Sequence, residues 1–482
     1  MAMPDDQREV IDFLSRPSSY GPGVARVEVI KTHISLVFLV GERAFKLKRA
    51  VTFPCLDFAS AEQRRRACAA ELALNRRTAP SLYLDLRAIG RRPDGGIGFM
   101  NAEPAIDRVV VMRRFDRDRV FDRLAEQGRL NAGLMRTLTG RIAAFHEAAE
   151  RRFDCGGAAA LSAVVQGNDE CLKAARHAGF AGSDIGTVRS QSLERLAALA
   201  PLLDRRRKDG KVRRGHSDLH LRNIVLLEEG PTLFDCLEFS AALAATDVLY
   251  DLAFLLMDLE HKGLADFANL VLNRYFDLTG EDDGLPALPL FLSLRAAIRA
   301  HVTAAALEQA APAARPEGAA EARRYLALAL RLLQPRPRRL VAIDGLSGTG
   351  KSTLAAALAP SLGARVLRSD VIRKRLFDVP PETRLPADAY GAAVSRQVYD
   401  RLRHQARAAL DAGFPAIIDA VALRQEERRA FAAVAEAAAV PFAGLWLEAP
   451  AQALEGRIAA RRDDASDASP AVLEQQLRHD PG

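Results

Sequence analysis

Short β-rich apolar runs dominate the first part of the chain and alternate with turn residues. Runs that predict strands occur at residues 25–31, 35–40, 44–48, 82–89, 97–101 and 108–112. Between the third and fourth runs, residues 60–77 read SAEQRRRACAAELALNRR, a serine cap followed by strong helix formers. This pattern predicts an antiparallel sheet with one inserted helix.

Beyond residue 115 the apolar spacing becomes helical. Helices are predicted over residues 120–126, 131–152, 158–208 and 245–333. A β-like island at 212–239 interrupts them, with strands predicted at 223–227 and 232–234 around a Gly-Pro turn. The segment 334–339, QPRPRR, ends the last helix because its two prolines cannot continue it.

The remainder of the chain alternates buried strands with helices, which is typical of a parallel sheet. Strands are predicted at 340–343, 364–367, 415–419 and 442–447, and a helix at 471–479.

The octet GLSGTGKS at 345–352 lies between the first of these strands and a helix, and fits G-x-x-x-x-G-K-[ST]. Glycines let backbone N–H groups approach phosphates, the lysine reaches the outer phosphates, and the serine can ligate Mg²⁺. The predicted nucleotide contacts are Gly345, Ser347, Gly348, Thr349, Gly350, Lys351, Ser352 and Thr353. Asp419, at the end of an apolar run, is the predicted acidic partner of the metal, and Asp370 is a candidate for contacting the acceptor hydroxyl or the metal.

The island carries a second motif. His216, Asp218, Leu219 and Asn223 fit H-x-D-L-x-x-x-N, and Asp235 lies beyond the hairpin. An aspartate in such a loop can accept the proton of a hydroxyl, while the asparagine and the later aspartate hold Mg²⁺ against the phosphates of ATP.

The segments HSDLHLRN and FDCLEF resemble the aminoglycoside and choline phosphotransferase branch of the protein-kinase-like fold. The resemblance implies that Asp218 is the catalytic base and that Asn223 and Asp235 are metal ligands. Ser217 stands where that branch usually has glycine, and Asp235-Cys-Leu-Glu238 departs slightly from its second motif.

A kinase fold also needs a strand lysine and a helix glutamate that orients it. AFKLK followed by CAAELAL supplies both, with Lys46 and Glu71 as the predicted pair. Lys48 lies on the same strand face and remains a competitor. The alternative to such a pair is that the lysine is an exposed strand residue and the glutamate a solvated helix residue.

The last third of the chain resembles the gluconate and shikimate kinase group of small P-loop kinases. That resemblance implies a lid in which Arg457, Arg461 and Arg462 close over the phosphates. The alternative is a basic helix face in solvent. Members of that group usually also have a fifth strand and a closing helix after the lid, so the four predicted strands leave the completeness of this domain open.

Composition narrows the picture further. A chain of 482 residues suggests two or three domains, and a formal charge of +7 fits anionic ligands without requiring nucleic acid. The basic tract at 205–214 has no interleaved aromatic residues, so a nucleic-acid partner is not expected. Five scattered cysteines and no long apolar run favour a cytoplasmic protein with reduced thiols and no membrane segment.

As a whole, the sequence resembles bacterial bifunctional aminoglycoside phosphotransferase/ATP-binding proteins. We therefore expect an α+β protein-kinase-like bilobal domain at 1–335, with lobes at about 20–115 and 116–333, and an α/β P-loop kinase domain at 338–482. The expected function is ATP- and Mg²⁺-dependent phosphoryl transfer to a hydroxyl of a small molecule, with nucleotide bound at two sites. The alternative is a nucleotide-binding regulatory protein; the sequence does not identify the acceptor or the oligomeric state.

Overall fold

The computed structural model describes residues 5–53, 56–100, 104–238, 244–309, 311–460 and 464–478. The chain divides into two compact units. The first unit comprises Met1–Phe180, Leu203–Asp258 and Ile298–Arg323; the second comprises Ala181–Leu202, Leu259–Ala297 and Arg324–Gly482. Each unit is drawn from several segments, and the domain boundary expected near 335–338 stays a prediction.

The described strands are β1 Glu28–Lys31, β2 Ser35–Val40, β3 Arg43–Lys48, β4 Thr52–Phe53, β5 Leu56–Asp57, β6 Tyr83–Arg91, β7 Ile97–Met100, β8 Asp107–Arg113, β9 Val212–Arg214, β10 Ile224–Leu227, β11 Gly230–Leu233, β12 Ala245–Asp247, β13 Leu340–Gly345, β14 Arg365–Arg368, β15 Ala416–Asp419 and β16 Phe442–Leu447. The α-helices are Asp5–Ser15, Ala61–Asn75, Phe121–Glu126, Ala132–Ala148, Gly157–Ala174, Gly182–Lys208, Val248–His261, Ala265–Thr279, Leu288–Ala306, Arg315–Leu332, Lys351–Leu362, Ser369–Leu376, Ala392–Asp411, Gln425–Ala437, Ala451–Ala460 and Pro470–Leu477. Within these described ranges, no helix is both long and apolar enough to cross a membrane.

The first unit contains an antiparallel sheet with strand order β1-β2-β3-β8-β6-β7. The helix Ala61–Asn75 begins at a capping box, in which the Ser60 hydroxyl accepts from the Gln63 backbone N–H at 3.2 Å. Ala44 of β3 packs in the same core cluster as Cys68 of this helix. Because strand side chains alternate, Lys46 and Lys48 lie on that face too.

The island forms two small pairs of strands. β10 and β11 make an antiparallel hairpin, and β9 pairs with β12. The sequence predicts a helix from residue 245, but the helix begins at Val248. The reason is that Asp247 Oδ1 accepts the Leu249 N–H at 2.8 Å, in the manner of an N-terminal cap.

The second unit contains a parallel sheet with strand order β14-β15-β13-β16. Ile343 of β13 is in register with Asp419 of β15, so the carboxyl ends of the two strands meet at one edge. The loop after β13 leads into the helix Lys351–Leu362. An antiparallel sheet with its helix and a parallel sheet with a P-loop confirm the predicted fold class.

Candidate functional site: two phosphate-binding centres

The loop that carries Asp218 is held by one buried carboxylate. Asp251 accepts the backbone N–H of His216 at 2.7 Å and that of Ser217 at 2.8 Å. Ser217 has a φ of +65°, a conformation that favours glycine. A Cβ on the neighbouring Gly215 would lie 2.5 Å from Asp251 Oδ2, so glycine is required there. The serine found in place of the usual glycine is thus tolerated in a loop fixed by Asp251.

Asp218 projects from this loop and its side chain is 39% exposed. Asn223 Nδ2 donates to Asp218 Oδ2 at 2.7 Å, and His220 Nε2 lies 3.5 Å from the same oxygen. Burial opposes ionisation, but His220 and His216 hold the pKa of Asp218 well below its usual range. Asp218 is therefore an ionised, accessible carboxylate that can accept a hydrogen bond from a hydroxyl.

Lys46 of β3 meets two carboxylates. Its Nζ donates to Glu71 Oε1 and to Asp235 Oδ1, each at 2.6 Å. Burial opposes the charge on Lys46, but Asp235 and Glu71 raise its pKa well above the usual value. The lysine and glutamate predicted as a pair are brought together, and the lysine also reaches the predicted metal ligand.

Lys48 belongs to the same network of ion pairs. The sequence places it on the same strand face as Lys46 and so leaves it as a competitor for the same role. Its Nζ lies 2.6 Å from Glu71 Oε2 and pairs with Glu238. Burial opposes ionisation of Glu71, but the two lysines lower its pKa to about 2, whereas burial raises the pKa of Glu238. Glu238 was not among the predicted site residues, although it closes the FDCLEF segment that carries the resemblance.

Asp235 has a φ of +61°, and the Tyr83 hydroxyl accepts its backbone N–H at 3.2 Å. Asn223 uses its amide nitrogen for both of its contacts with Asp218, so its amide oxygen is not engaged by them. Asp235 similarly contacts Lys46 through Oδ1. One amide oxygen and one carboxylate oxygen suit Mg²⁺, which commonly takes few protein ligands and completes its shell with phosphates and water.

Two glycines of the second centre, Gly345 and Gly348, are required by close backbone contacts. Gly345 has a φ of +139°, and a Cβ there would lie 2.5 Å from the Leu447 carbonyl oxygen. A Cβ on Gly348 would lie 2.9 Å from the carbonyl oxygen of Leu454. The loop therefore keeps a tight shape at the start of the helix Lys351–Leu362, in which the Ser347 backbone N–H donates to Gln476 Oε1 at 2.9 Å.

Lys351 Nζ folds back on its own loop and donates to the carbonyls of Gly345 and Leu346, each at 2.8 Å. Ser352 Oγ donates to Asp419 Oδ2 at 2.6 Å. The predicted metal ligands Ser352 and Asp419 are thus paired at the carboxyl end of the sheet. A hydroxyl and a carboxylate beside a phosphate site fit Mg²⁺.

A cavity of about 1240 Å³ lies beside this loop. Its lining includes the predicted residues Ser347, Gly348, Gly350, Lys351, Ser352, Thr353, Asp370, Asp419 and Arg457. Gly345 and Thr349 shape the loop instead; the Thr349 hydroxyl donates to the Leu346 carbonyl at 2.8 Å. Arg457 donates to the Gly348 carbonyl at 3.2 Å, whereas Arg461 and Arg462 lie outside the described residues.

Asp344, immediately before the loop, was missed by sequence reasoning. It is buried, its Oδ1 has no hydrogen-bond partner in the part of the chain that the structure describes, and burial raises its pKa to about 7. Burial also raises the pKa of Asp370, against the opposing charge of Arg368.

Among the described residues, no group of three His, Cys, Asp or Glu side chains could hold a metal, so metal at either centre would rely on asparagine, serine and phosphate oxygens as well.

Comparison with known proteins gives a family match in the last third of the chain and relatives that match most of its length. A family model described as an AAA domain matches residues 340–480. Uncharacterized proteins of Mycobacterium tuberculosis and Mycobacterium bovis are each 33% identical to this chain over 453 residues, covering 92% of this chain and 88% of the relative.

Two solved structures give weaker likenesses. A choline/ethanolamine kinase family protein from Mesorhizobium loti is 14% identical, covers 68% of this chain and 99% of its own, and has a TM-score of 0.39. The APS kinase of Mycobacterium tuberculosis in complex with AMPPNP and APS is 27% identical, covers 26% of this chain and 69% of its own, and has a TM-score of 0.22. The fold assignment rests on the two sheets and their connections.

Proposed function

This chain belongs to the same family as the mycobacterial proteins, with a phosphotransferase-like kinase fold joined to a P-loop kinase-like fold, and on that premise we propose that it is an ATP- and Mg²⁺-dependent small-molecule kinase. The acceptor is a hydroxyl of an aminoglycoside-, sugar- or choline-like molecule. The P-loop unit binds a second nucleotide.

One observation carries the proposal: a single unit holds both halves of a phosphotransfer site. Asp218 is accessible and ionised with Asn223 at 2.7 Å, and Lys46 is held between Glu71 and Asp235. Phosphoryl transfer needs chiefly positioning and charge neutralisation, and these groups are of the kinds that supply both.

In the proposed reaction, Asp218 accepts a hydrogen bond from the acceptor hydroxyl and takes its proton as the oxygen bonds to the γ-phosphorus. The bond from that phosphorus to the β,γ-bridging oxygen breaks, and ADP leaves with the electron pair. Lys46 neutralises charge on the phosphates of ATP, and Glu71 keeps it in place. Asn223 and Asp235 would hold Mg²⁺, which supplies charge neutralisation on the phosphates when bound.

Replacing Asp218 tests this reaction. We expect Asp218→Asn to lower acceptor-stimulated ADP release by about 10²- to 10⁴-fold, because the amide cannot take the proton. The assay compares wild type, Asp218→Asn and the exposed control Asp209→Asn across a library of sugars, aminoglycosides and choline-like alcohols. Nucleotide binding without acceptor-dependent turnover anywhere in that library would instead favour the regulatory alternative.

A further inference from the structure

One backbone N–H of the P-loop donates to a side chain from a distant part of the sequence. The Ser347 N–H donates to Gln476 Oε1 at 2.9 Å, across 129 positions. Ser347 and Gln476 both line the cavity that Lys351 and Ser352 also line. Gln476 therefore contacts the loop beside the proposed nucleotide site.

This hydrogen bond fixes which way the amide group of Gln476 faces. A backbone N–H can only donate, so the amide oxygen must face Ser347. The amide nitrogen is the other branch of the same group, and among the described residues it has no hydrogen-bond partner. Because Gln476 lines the cavity, its amide nitrogen is a donor that a bound ligand can use.

Packing holds Gln476 against the loop. It belongs to the helix Pro470–Leu477, and Leu473 of this helix is fully buried in a cluster with Leu454. The P-loop residue Leu346 packs against the same cluster. A donor held in this way has little freedom left to lose when a ligand binds, so its contact with the ligand is strengthened.

The position of Gln476 outside the loop limits which phosphate it can meet. In a P-loop, the backbone N–H groups cradle the inner phosphates of the nucleotide, and the lysine, here Lys351, reaches the outer ones. The part of the nucleotide that the loop leaves open is the outer face of the terminal phosphate. A neutral amide donor beside Ser347 can supply a charge-assisted hydrogen bond to an oxygen of that phosphate.

From this geometry we infer that Gln476 contacts the terminal phosphate of the nucleotide through its amide nitrogen and makes the P-loop site prefer a triphosphate to a diphosphate. The inference rests on the proposed nucleotide site at Lys351 and Ser352. ADP lacks the phosphate that Gln476 contacts, so the contact ends when the phosphoryl group is transferred, and the release of ADP is favoured.

The test measures nucleotide affinity in the full chain by calorimetric titration with AMPPNP and with ADP, each with Mg²⁺. The Lys351→Met chain reports the site of the first unit alone, and subtracting its isotherm isolates the P-loop site. Gln476→Met removes the donor with little change in side-chain size. We expect it to raise the Kd of AMPPNP at the P-loop site by about tenfold, because a hydrogen bond to a charged group is lost, and the Kd of ADP by less than about threefold.

Gln476→Glu separates a phosphate contact from a merely structural role. The glutamate keeps an oxygen that accepts the Ser347 N–H, but it puts a negatively charged oxygen where the amide donor stood. It should therefore raise the Kd of AMPPNP by about tenfold or more, and that of ADP by less. Gln475→Glu adds the same charge to the next residue of the helix, outside the cavity lining, and is the matched control that leaves both Kd values unchanged.

AMPPNP affinity in Gln476→Glu equal to that in Gln475→Glu would overturn the inference, because Gln476 would then serve only to hold Ser347. Equal losses of AMPPNP and ADP affinity in Gln476→Met would also overturn it, since the change would then act through the shape of the loop.

The proposed nucleotide site is judged separately, from the Lys351→Met chain. If AMPPNP stoichiometry falls by one there while the Gln476 variants bind like wild type, the inference is removed and the proposed function stands. If the stoichiometry does not fall, the nucleotide site of the P-loop unit is removed, and the inference with it.

Discussion

The two units hold their proposed phosphate-site lysines in different ways. In the first unit, Lys46 and Lys48 are held by carboxylates from a helix and from the segment after the hairpin. In the second unit, Lys351 is held by carbonyls of its own loop. The first arrangement depends on a buried charge balance across distant parts of the chain; the second depends on local backbone shape.

The largest effect on stability is expected where the carboxylate-held lysine is fully buried. Lys48→Met leaves Glu238 without its partner at a buried position, and breaking such a pair costs about 3–5 kcal/mol. Urea unfolding followed by far-UV circular dichroism measures this loss. The control is Lys31→Met on an exposed position of β1, expected to change stability by less than about 0.5 kcal/mol.

A compensating variant sharpens this prediction. Lys48→Met combined with Glu238→Leu removes both charges, so it should recover a large part of the lost stability. The charge balance does not hold the network together if Lys48→Met loses no more stability than Lys31→Met. The same conclusion follows if the stability loss of the double variant equals the sum of the losses of Lys48→Met and Glu238→Leu.

The next largest effect is expected in the pH dependence of the stability of the second unit. Because burial raises the folded pKa of Asp344 to about 7 from an ordinary value of 3.8, the folded state binds more protons between those values. The free energy of unfolding of the second unit therefore falls as the pH rises between these two pKa values. Asp344→Asn removes that fall and is more stable than wild type above pH 7 by on the order of 1–3 kcal/mol.

Trp446 makes this measurement specific, since it is the one tryptophan of the sequence and lies in β16 of the second unit. Its fluorescence in urea, recorded from pH 4 to 8, follows that unit. The exposed Asp411→Asn serves as control. Wild-type and Asp344→Asn curves that stay parallel across this range contradict the burial of an unpartnered carboxyl.

The smallest effect on stability is expected at Lys351. Lys351→Met removes hydrogen bonds to two loop carbonyls, each worth about 0.5–1.5 kcal/mol. The Trp446 transition should therefore shift much less than the circular dichroism transition of Lys48→Met, although nucleotide binding at the loop is lost. If Lys351→Met lost as much stability as Lys48→Met, the two units would not differ in how they hold their lysines.

The sequence predicts the local features of both centres well. GLSGTGKS between a strand and a helix specifies its own geometry, and the pairing of Lys46 with Glu71 follows from one strand face and one helix. Ser352 and Asp419 meet because Asp419 ends β15 and Ser352 follows the neighbouring parallel strand β13.

The features that the sequence leaves open depend on groups distant in the chain. Lys48 shares Glu71 with Lys46 and reaches Glu238 across 190 positions, so period-two alternation alone cannot assign the two lysines. The positive φ of Ser217 is held by Asp251, 34 positions later. The burial of Asp344 likewise follows from the packed sheet rather than from the motif.

Nucleotide stoichiometry tests the central claim, that each unit has its own nucleotide site served by its own lysine. Calorimetric titration of the full chain with AMPPNP and Mg²⁺ should give two nucleotides per chain for wild type. Lys46→Met and Lys351→Met should each give one, and the double variant none. One nucleotide in wild type, or loss of both in either single variant, would contradict the account.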